Sequence, residues 1–192
     1  MANIDSAFGF RPIKRLDGAA WTGNHNTRRM LTNAPALNRG DVVQALPSGY
    51  VQAAPATVAD HSALGIFVGC HYLQASLGYP IWSNYWPGAG AVGEVDAFII
   101  DDPNVVFEVQ ATAGPILIAD VGMTANPTVV ASTTGFSKWT LAAPAASATA
   151  MFRVIALGDP APMVGNGYDA TTAFNIVQVA WNDHIYRQMV GV

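Results

Sequence analysis

Short runs of apolar residues, separated by glycine and proline, recur along the chain from Asp41 onward. The clearest pattern lies at residues 105–111, where the sequence VVFEVQA alternates between two sets of side chains. Valine, phenylalanine and valine point to one side, and valine, glutamate and glutamine point to the other. Such a period of two is typical of a strand with one buried face. We therefore predict a strand here, with its second face in contact with water or a partner.

A polar tetrapeptide at residues 101–104 separates this run from another apolar run at residues 97–100. Pro103 fixes its own φ angle and has no backbone donor, and Asp102 precedes it. Aspartate followed by proline is typical of the first two positions of a type I turn. We expect this turn to fold the two runs into a hairpin.

The same pattern predicts strands along most of the chain. They lie at residues 25–31, 42–46, 50–53, 64–72, 97–100, 105–111, 116–119, 128–131, 138–141, 151–157 and 175–181. Short strands at close spacing indicate a sandwich or a barrel. The 18 glycines and 12 prolines disfavour long helices, and we expect only one helical turn, near residues 57–63. The predicted fold is all-β, a barrel or jelly-roll-like sandwich with little helix.

The first 39 residues differ from the rest in charge. They hold six basic and two acidic residues, a net charge of +4, whereas the remainder holds three basic and eleven acidic residues, a net charge of −8. Residues 1–24 show no periodicity, which is typical of an extended arm ordered by its partner. We expect a basic arm and lead-in strand at residues 1–39 and a single β-rich body at residues 40–192 that folds without residues 1–24. The basic residues are too sparse to favour nucleic acid over an acidic protein surface.

Two segments are candidate contact sites. In the arm, Phe8 and Phe10 alternate around Gly9, so their rings either lie on a neighbour's surface or pack on the chain's own body. The second segment has four aromatic rings within eight residues, and its two prolines predict a loop. These rings are Tyr79, Trp82, Tyr85 and Trp86. They suit a protein interface, a sugar-stacking platform or a loop folded over its own body.

The composition favours a subunit of an assembly. Hydrophobic residues make up 51% of the 192 residues and charged residues only 11%, whereas about 25% charged residues are usual in soluble proteins. No apolar run is long enough to cross a bilayer, and the N-terminus lacks the apolar core of a secretory signal. We therefore expect synthesis in a cytoplasm and apolar surface covered by protein partners.

No pattern in the sequence predicts catalysis or a bound cofactor. The glycines of residues 88–93 have dinucleotide-binding spacing but lack the strand and helix that this motif requires. The adjacent Asp60, His61 and Ser62 cannot form a catalytic triad, and the four histidines lack metal-ligand spacing. The single cysteine, Cys70, lies in an apolar run and is expected to be a buried, inert thiol. We expect no enzyme activity, metal, cofactor, small-molecule substrate, nucleic acid or membrane partner.

Four segments, in one collinear order over most of the chain, resemble head decoration (cement) proteins of tailed bacteriophages. They are SAFGFRPIKRLDG, GIFVGCHY with the aromatic loop after it, DDP followed by FEVQ, and WNDHIYRQMVGV. The resemblance implies a protein on the outer surface of the virion capsid that binds the major capsid protein. It also implies a homo-oligomer, a trimer rather than a dimer.

Under this interpretation each candidate segment has a role. The arm residues Phe8, Phe10, Arg11, Lys14 and Arg15 contact the capsid. The rings of Tyr79, Trp82, Tyr85 and Trp86 lie at a subunit interface or in a surface loop. The alternative function is a carbohydrate-binding β module that uses the same four rings.

Overall fold

The computed structural model describes residues 2–56, 62–112, 114–158 and 168–187. Within these residues the chain forms thirteen strands and two 3₁₀ turns, at Ile118–Asp120 and Ile185–Arg187. The strands are β1 Arg11–Arg15, β2 Asn26–Met30, β3 Val42–Ala45, β4 Val51–Ala53, β5 Ala63–Gln74, β6 Pro80–Ser83, β7 Ala91–Ile100, β8 Val105–Gln110, β9 Thr124–Ala125, β10 Pro127–Thr128, β11 Thr140–Leu141, β12 Phe152–Leu157 and β13 Ile176–Trp181. The all-β prediction is confirmed.

Two antiparallel sheets pack face to face as a sandwich, which decides between the two predicted architectures. Sheet I has the strand order β1-β8-β13-β12-β9. Sheet II has the order β2-β7-β5-β3-β4, and β6 pairs with the far half of the long strand β5. Strands β10 and β11 form a separate pair.

The main core lies between the two sheets. Sheet II contributes Val42, Ile66 and Ile100, and sheet I contributes a group of large rings. Phe152 stacks on Trp181 with ring centroids 4.5 Å apart. Rings of this size dominate the burial energy of a core, so this cluster anchors the sandwich.

A second core covers the opposite face of sheet II. Neighbouring residues such as Ile99 and Ile100 belong to different cores, because side chains alternate between the two faces of a strand. The second core is closed by two loop residues, Leu37 and Trp86, which exchange backbone hydrogen bonds of 2.9 and 2.7 Å. This double burial explains why β5 appears in the sequence as a nearly continuous apolar run.

The predicted hairpin around residues 101–104 is wrong. The turn itself is present, since the Val105 N–H donates to the Asp102 carbonyl at 3.2 Å. However, β7 belongs to sheet II and β8 to sheet I, so the turn carries the chain between the sheets. Each strand is already flanked by two other strands, β7 by β2 and β5, and β8 by β1 and β13.

The predicted half-exposed face of β8 is also wrong, because all six of its residues are buried. The chain's own N-terminal segment covers its polar side chains. The Gln110 amide donates to the Ile4 carbonyl at 2.8 Å and accepts from the Ser6 N–H at 3.1 Å. What was predicted as an arm is therefore part of the body from its first described residues.

Other differences are local. The strand predicted at residues 116–119 is wrong, because the Asp120 carboxylate accepts the Leu117 N–H at 2.8 Å and stabilises a 3₁₀ turn there. The strands predicted at residues 128–131 and 138–141 exist only as the two-residue strands β10 and β11. Most of the helical turn predicted near residues 57–63 lies outside the described residues.

Candidate functional site: an aromatic and ionic row on sheet II

Phe10 is part of the main core and is not a surface contact. It is 2% exposed, and its ring stacks on Phe152 with centroids 4.4 Å apart. The preceding Gly9 has a φ angle of +74°, and a Cβ atom at this position would lie 2.4 Å from the Cβ of Ser137. Only glycine allows the chain to pass this close, so packing on the chain's own body is the alternative that the structure shows for Phe10.

The basic residues of the predicted arm mostly form ion pairs within the chain. Arg11 pairs with Glu108 at 2.5 Å, and hydrogen bonding to this carboxylate raises the pKa of Arg11. Its guanidinium also lies 5.0 Å from the centre of the half-buried Phe8 ring. Arg15 pairs with Asp102 at 3.1 Å. Lys14 makes no ion pair within the described residues. The predicted capsid contacts of Phe8, Arg11, Lys14 and Arg15 stay predictions.

The four rings of the predicted aromatic loop separate in the structure. Trp86 is fully buried in the second core, where its indole N–H donates to the Ala34 carbonyl at 3.0 Å. Tyr79, Trp82 and Tyr85 are exposed by 54, 74 and 45%. The loop prediction is wrong for residues 80–83, which form β6, and the placement of Trp86 at a surface is wrong as well.

Trp82 belongs to a row of side chains that crosses four neighbouring strands. The strand register places Trp82 on β6 opposite His71 on β5, His71 opposite Asp96 on β7, and Asp96 opposite Arg29 on β2. We call these four residues the Trp82 row. Asp96, Phe98 and Ile100 are every second residue of β7, so their side chains lie on the same face of sheet II. Ile100 belongs to the main core, so the row lies on the face that elsewhere packs on sheet I. Here that face is open.

Ion pairs fix the polar end of the row. The Arg29 guanidinium lies 2.9 Å from one Asp96 oxygen, and the His71 Nδ1 lies 3.7 Å from the other. Arg29 also reaches Glu94 at 3.7 Å, and the Tyr50 hydroxyl donates to Glu94 at 2.5 Å. The row therefore presents carboxylates, a guanidinium and an imidazole in fixed positions.

Ring contacts fix the aromatic end of the row. The Trp82 ring is nearly parallel to the Phe98 ring, with an angle of 12° and centroids 5.2 Å apart, and lies 4.5 Å from the His71 ring. Gly69 on β5, which pairs with Phe98 on β7, has no side chain to separate the two rings. A Cβ atom there would lie 2.9 Å from the Ser83 carbonyl oxygen. The Trp82 ring is thus held in place while most of its surface remains exposed.

The Asp101 carboxylate joins distant segments and has a structural role. It accepts hydrogen bonds from Asn26 at 2.6 Å, Arg28 at 2.6 Å and Tyr186 at 3.1 Å. Hydrogen bonding to Asp101 raises the pKa of Arg28. Arg187 donates to the Pro103 carbonyl at 2.8 Å, so two segments that carry the sequence resemblance meet at this turn.

The remaining chemically active side chains show no assembled site. Cys70 is buried as predicted, and burial raises the pKa of its thiol to about 12. Burial lowers the pKa of His184 to about 4, so its ring is neutral at pH 7. Among the described residues no group of His, Cys, Asp and Glu is placed to hold a metal ion, and Asp60 and His61 lie outside them. No helix of the described segments has the length and apolar character needed to span a membrane.

Two exposed apolar patches were not predicted from the sequence. We use the name loop patch for the exposed apolar side chains of the loop between β10 and β11, which are Val129, Val130 and Phe136, together with Tyr85, whose ring lies against Gly135 of that loop. The turn patch surrounds the first 3₁₀ turn and consists of Leu117, Ile118, Val121 and Met123. Their residues occur in segments that were predicted as strands or loops. These side chains are exposed because the segments do not join either sheet, which the local sequence does not show.

Beside the loop patch lies a cleft of about 230 Å³. Its walls include Phe8, Trp21, Val68 and Phe136, and Arg39 lines it as well. The Arg39 guanidinium makes no ion pair within the part of the chain that the structure describes. The loop patch and the cleft together form an apolar surface with one available positive charge.

Comparison of the chain with protein-family models, with curated proteins and with solved structures finds no match.

Proposed function

We propose that this chain is a capsid decoration protein, a structural subunit that binds the major capsid protein and copies of itself on the outer surface of a phage head. The sequence resemblance suggests this role. The observation that carries the proposal is the presence of two separate apolar patches on a charge-poor sandwich. A protein with several neighbours in a shell needs several such contact surfaces.

The surface of the molecule is unusually poor in charge. The chain exposes 9319 Å², close to the roughly 8,800 Å² expected for a compact monomer of this mass. The chain has only 22 charged side chains, and at least four of them, Asp41, Asp101, Glu108 and Asp183, are buried and contribute little to this area. Ile118 in the turn patch is 75% exposed and Phe136 in the loop patch is 60% exposed. Burial of such side chains by a neighbour is favourable, because apolar area leaves water.

The ion pairs of the leading segment favour a mode of attachment other than a free arm. Four of the six basic residues in the first 39 form ion pairs with acidic residues of the body, which are Asp101, Asp102, Glu108 and the Glu94–Asp96 pair on β7. The positive leading segment thus complements its own negative body. We therefore assign attachment to the two patches and to Arg39 beside the cleft, and not to a free arm.

Binding of purified protein to heads that lack it tests the proposal. We expect Ile118→Ser and Phe136→Ser each to weaken binding roughly tenfold or more, since exposed anchors of this size often cost over 1 kcal/mol on truncation. The matched control is Leu16→Ser, which replaces an exposed leucine outside both patches. Sedimentation of the heads with labelled protein measures the bound fraction.

Light scattering on each variant separates the two kinds of contact. Loss of head binding with an unchanged oligomer assigns a patch to the capsid, and a smaller oligomer assigns it to the contact between copies. The proposal fails if the wild-type protein is monomeric at micromolar concentration and does not bind to heads.

A further inference from the structure

The Trp82 ring is costly to expose and yet is held rigidly. Its 74% exposure leaves most of a large apolar surface in water, while Phe98 and His71 hold it from the sheet side. Backbone pairing of β6 with β5 fixes its position further. A rigid ring loses little conformational entropy when a ligand stacks on it, which favours binding.

The surroundings of the ring are rich in charge, in contrast to the rest of the molecule. Arg29, Asp96 and Glu94 lie on neighbouring strands of the same open face, and His71 lies between them and the ring. Strands in a sheet are about 4.8 Å apart, so the row from Trp82 to Arg29 spans roughly 14 Å. This length suits a ligand of two or three sugar units better than a single small molecule.

The charge around the ring distinguishes a sugar from a protein partner. The buried centres of protein interfaces are depleted of charged residues, whereas the open face that carries this ring also carries two carboxylates and a guanidinium. Hydroxyl groups of a sugar donate to carboxylates and accept from guanidinium and imidazole N–H groups. The C–H groups on one face of a pyranose ring carry partial positive charge and are attracted to the negative face of an indole.

We infer that the Trp82 row is a carbohydrate-binding site that takes a neutral oligosaccharide of hexopyranose units. One pyranose ring stacks on Trp82, and hydroxyl groups of the following one or two units bind Asp96 and Arg29. The two carboxylates and the single guanidinium give this end of the row a net negative charge, which disfavours acidic sugars. This site shares no residue with the loop patch or the turn patch, so it adds a binding activity to the proposed structural role and does not depend on it.

The test uses the full chain on an array of immobilised neutral oligosaccharides built from glucose, galactose, mannose and N-acetylglucosamine. The best-bound sugar is then titrated in solution by calorimetry. We expect Trp82→Ala and Asp96→Ala each to weaken binding roughly tenfold or more, as loss of a central anchor does. Trp82→Phe should stay within a few fold of wild type, because it keeps a ring on the sheet.

Tyr79→Ala is the matched control, since it removes an exposed ring near β6 that is not part of the row. It should bind the sugar as the wild-type protein does. Circular dichroism of each variant checks that the sandwich is intact, and Asp96→Asn replaces Asp96→Ala if the latter is unfolded.

Three results would overturn the inference. One is that no neutral oligosaccharide binds more strongly to the wild-type chain than to Trp82→Ala. Another is equal loss in Tyr79→Ala, which would place the contact elsewhere. The third is a smaller oligomer in Trp82→Ala by light scattering, which would make the row an interface between copies.

Discussion

Asp101 shows how a single buried carboxylate can stabilise several segments of the chain. It is almost fully buried, and its partners Asn26, Arg28 and Tyr186 come from β2 and from the second 3₁₀ turn. A carboxylate so far from water is stable only when its oxygens accept strong hydrogen bonds. The contact therefore couples the C-terminal segment to the edge of sheet II.

We predict that Asp101→Ala destabilises the protein by about 2 to 3 kcal/mol. The substitution removes three hydrogen bonds and leaves the partly buried Arg28 guanidinium without its counterion. The effect is smaller than for a fully buried ion pair, because the Arg28 side chain is partly exposed. Urea unfolding measures the change. Asp5→Ala, which removes an exposed carboxylate, is the control and should change stability by less than about 0.5 kcal/mol. Equal changes in both variants would contradict the structural role of Asp101.

The residue types alone could not separate Trp82 from Trp86. Both occur in the same aromatic segment, and the sequence offers no alternation that distinguishes them. The exposure of Trp82 depends on the register of β6, which places its side chain on the open face. The burial of Trp86 depends on the loop around Leu37, which covers it. The Leu37–Trp86 contact joins residues far apart in the chain, and β6 lies in a segment whose prolines predict a loop. The exposed ring was therefore predictable only as one of four.

At the scale of elements, strand existence was easier to predict than strand partners. The runs at residues 64–72, 105–111 and 175–181 are apolar enough to be recognised wherever they pair, and β5, β8 and β13 occupy them. Sheet membership is different, because the turn at residues 101–104 is compatible with either a hairpin or a crossing between sheets. Only the competing partners of β7 and β8 decide between these outcomes.

Gly65 shows how closely the central strands approach each other. It lies on β5, and a Cβ atom at this position would lie 2.4 Å from the Ile100 carbonyl oxygen and 2.6 Å from the Ile99 side chain. The carbonyl belongs to β7, which is hydrogen bonded on both sides and cannot shift easily. Glycine is required here by space, since its φ angle is not positive and an L residue could adopt it.

We predict that Gly65→Ala destabilises the protein by about 2 to 3 kcal/mol, in the range of overpacked cores. Thermal and urea unfolding measure the effect. Gly114→Ala is the control, because no atom lies within 4 Å of its added Cβ and its φ angle is not positive. That variant should be neutral or slightly stabilising through the unfolded state. A neutral Gly65→Ala would mean that β5 and β7 are farther apart than described.

At the scale of the whole molecule, the N-terminal segment completes the sandwich. Strand β1 is the edge strand of sheet I beside β8, Phe10 fills the main core, and Arg11 neutralises the nearly buried Glu108. The sequence predicted a dispensable arm because residues 1–24 have no period and belong to the first 39 residues, which carry six of the nine basic residues. Its pairing with an acidic, apolar body is a contact over nearly 100 positions, which no local pattern reveals.

Deletion of residues 1–15 tests this integration. We predict that the free energy of unfolding falls by more than about 5 kcal/mol. Removal of a core phenylalanine alone costs about 3 to 5 kcal/mol, and the deletion also exposes β8 and leaves Glu108 without its ion-pair partner. Since whole domains are stable by only about 5 to 15 kcal/mol, this deletion is expected to leave the chain largely unfolded.

Deletion of residues 1–6 is the matched control, because it keeps Phe10 and β1. That chain should fold with a smaller loss of stability. Circular dichroism and urea unfolding measure both chains. A chain lacking residues 1–15 with an unchanged unfolding midpoint would support the free arm and would assign the proposed capsid attachment to the leading segment.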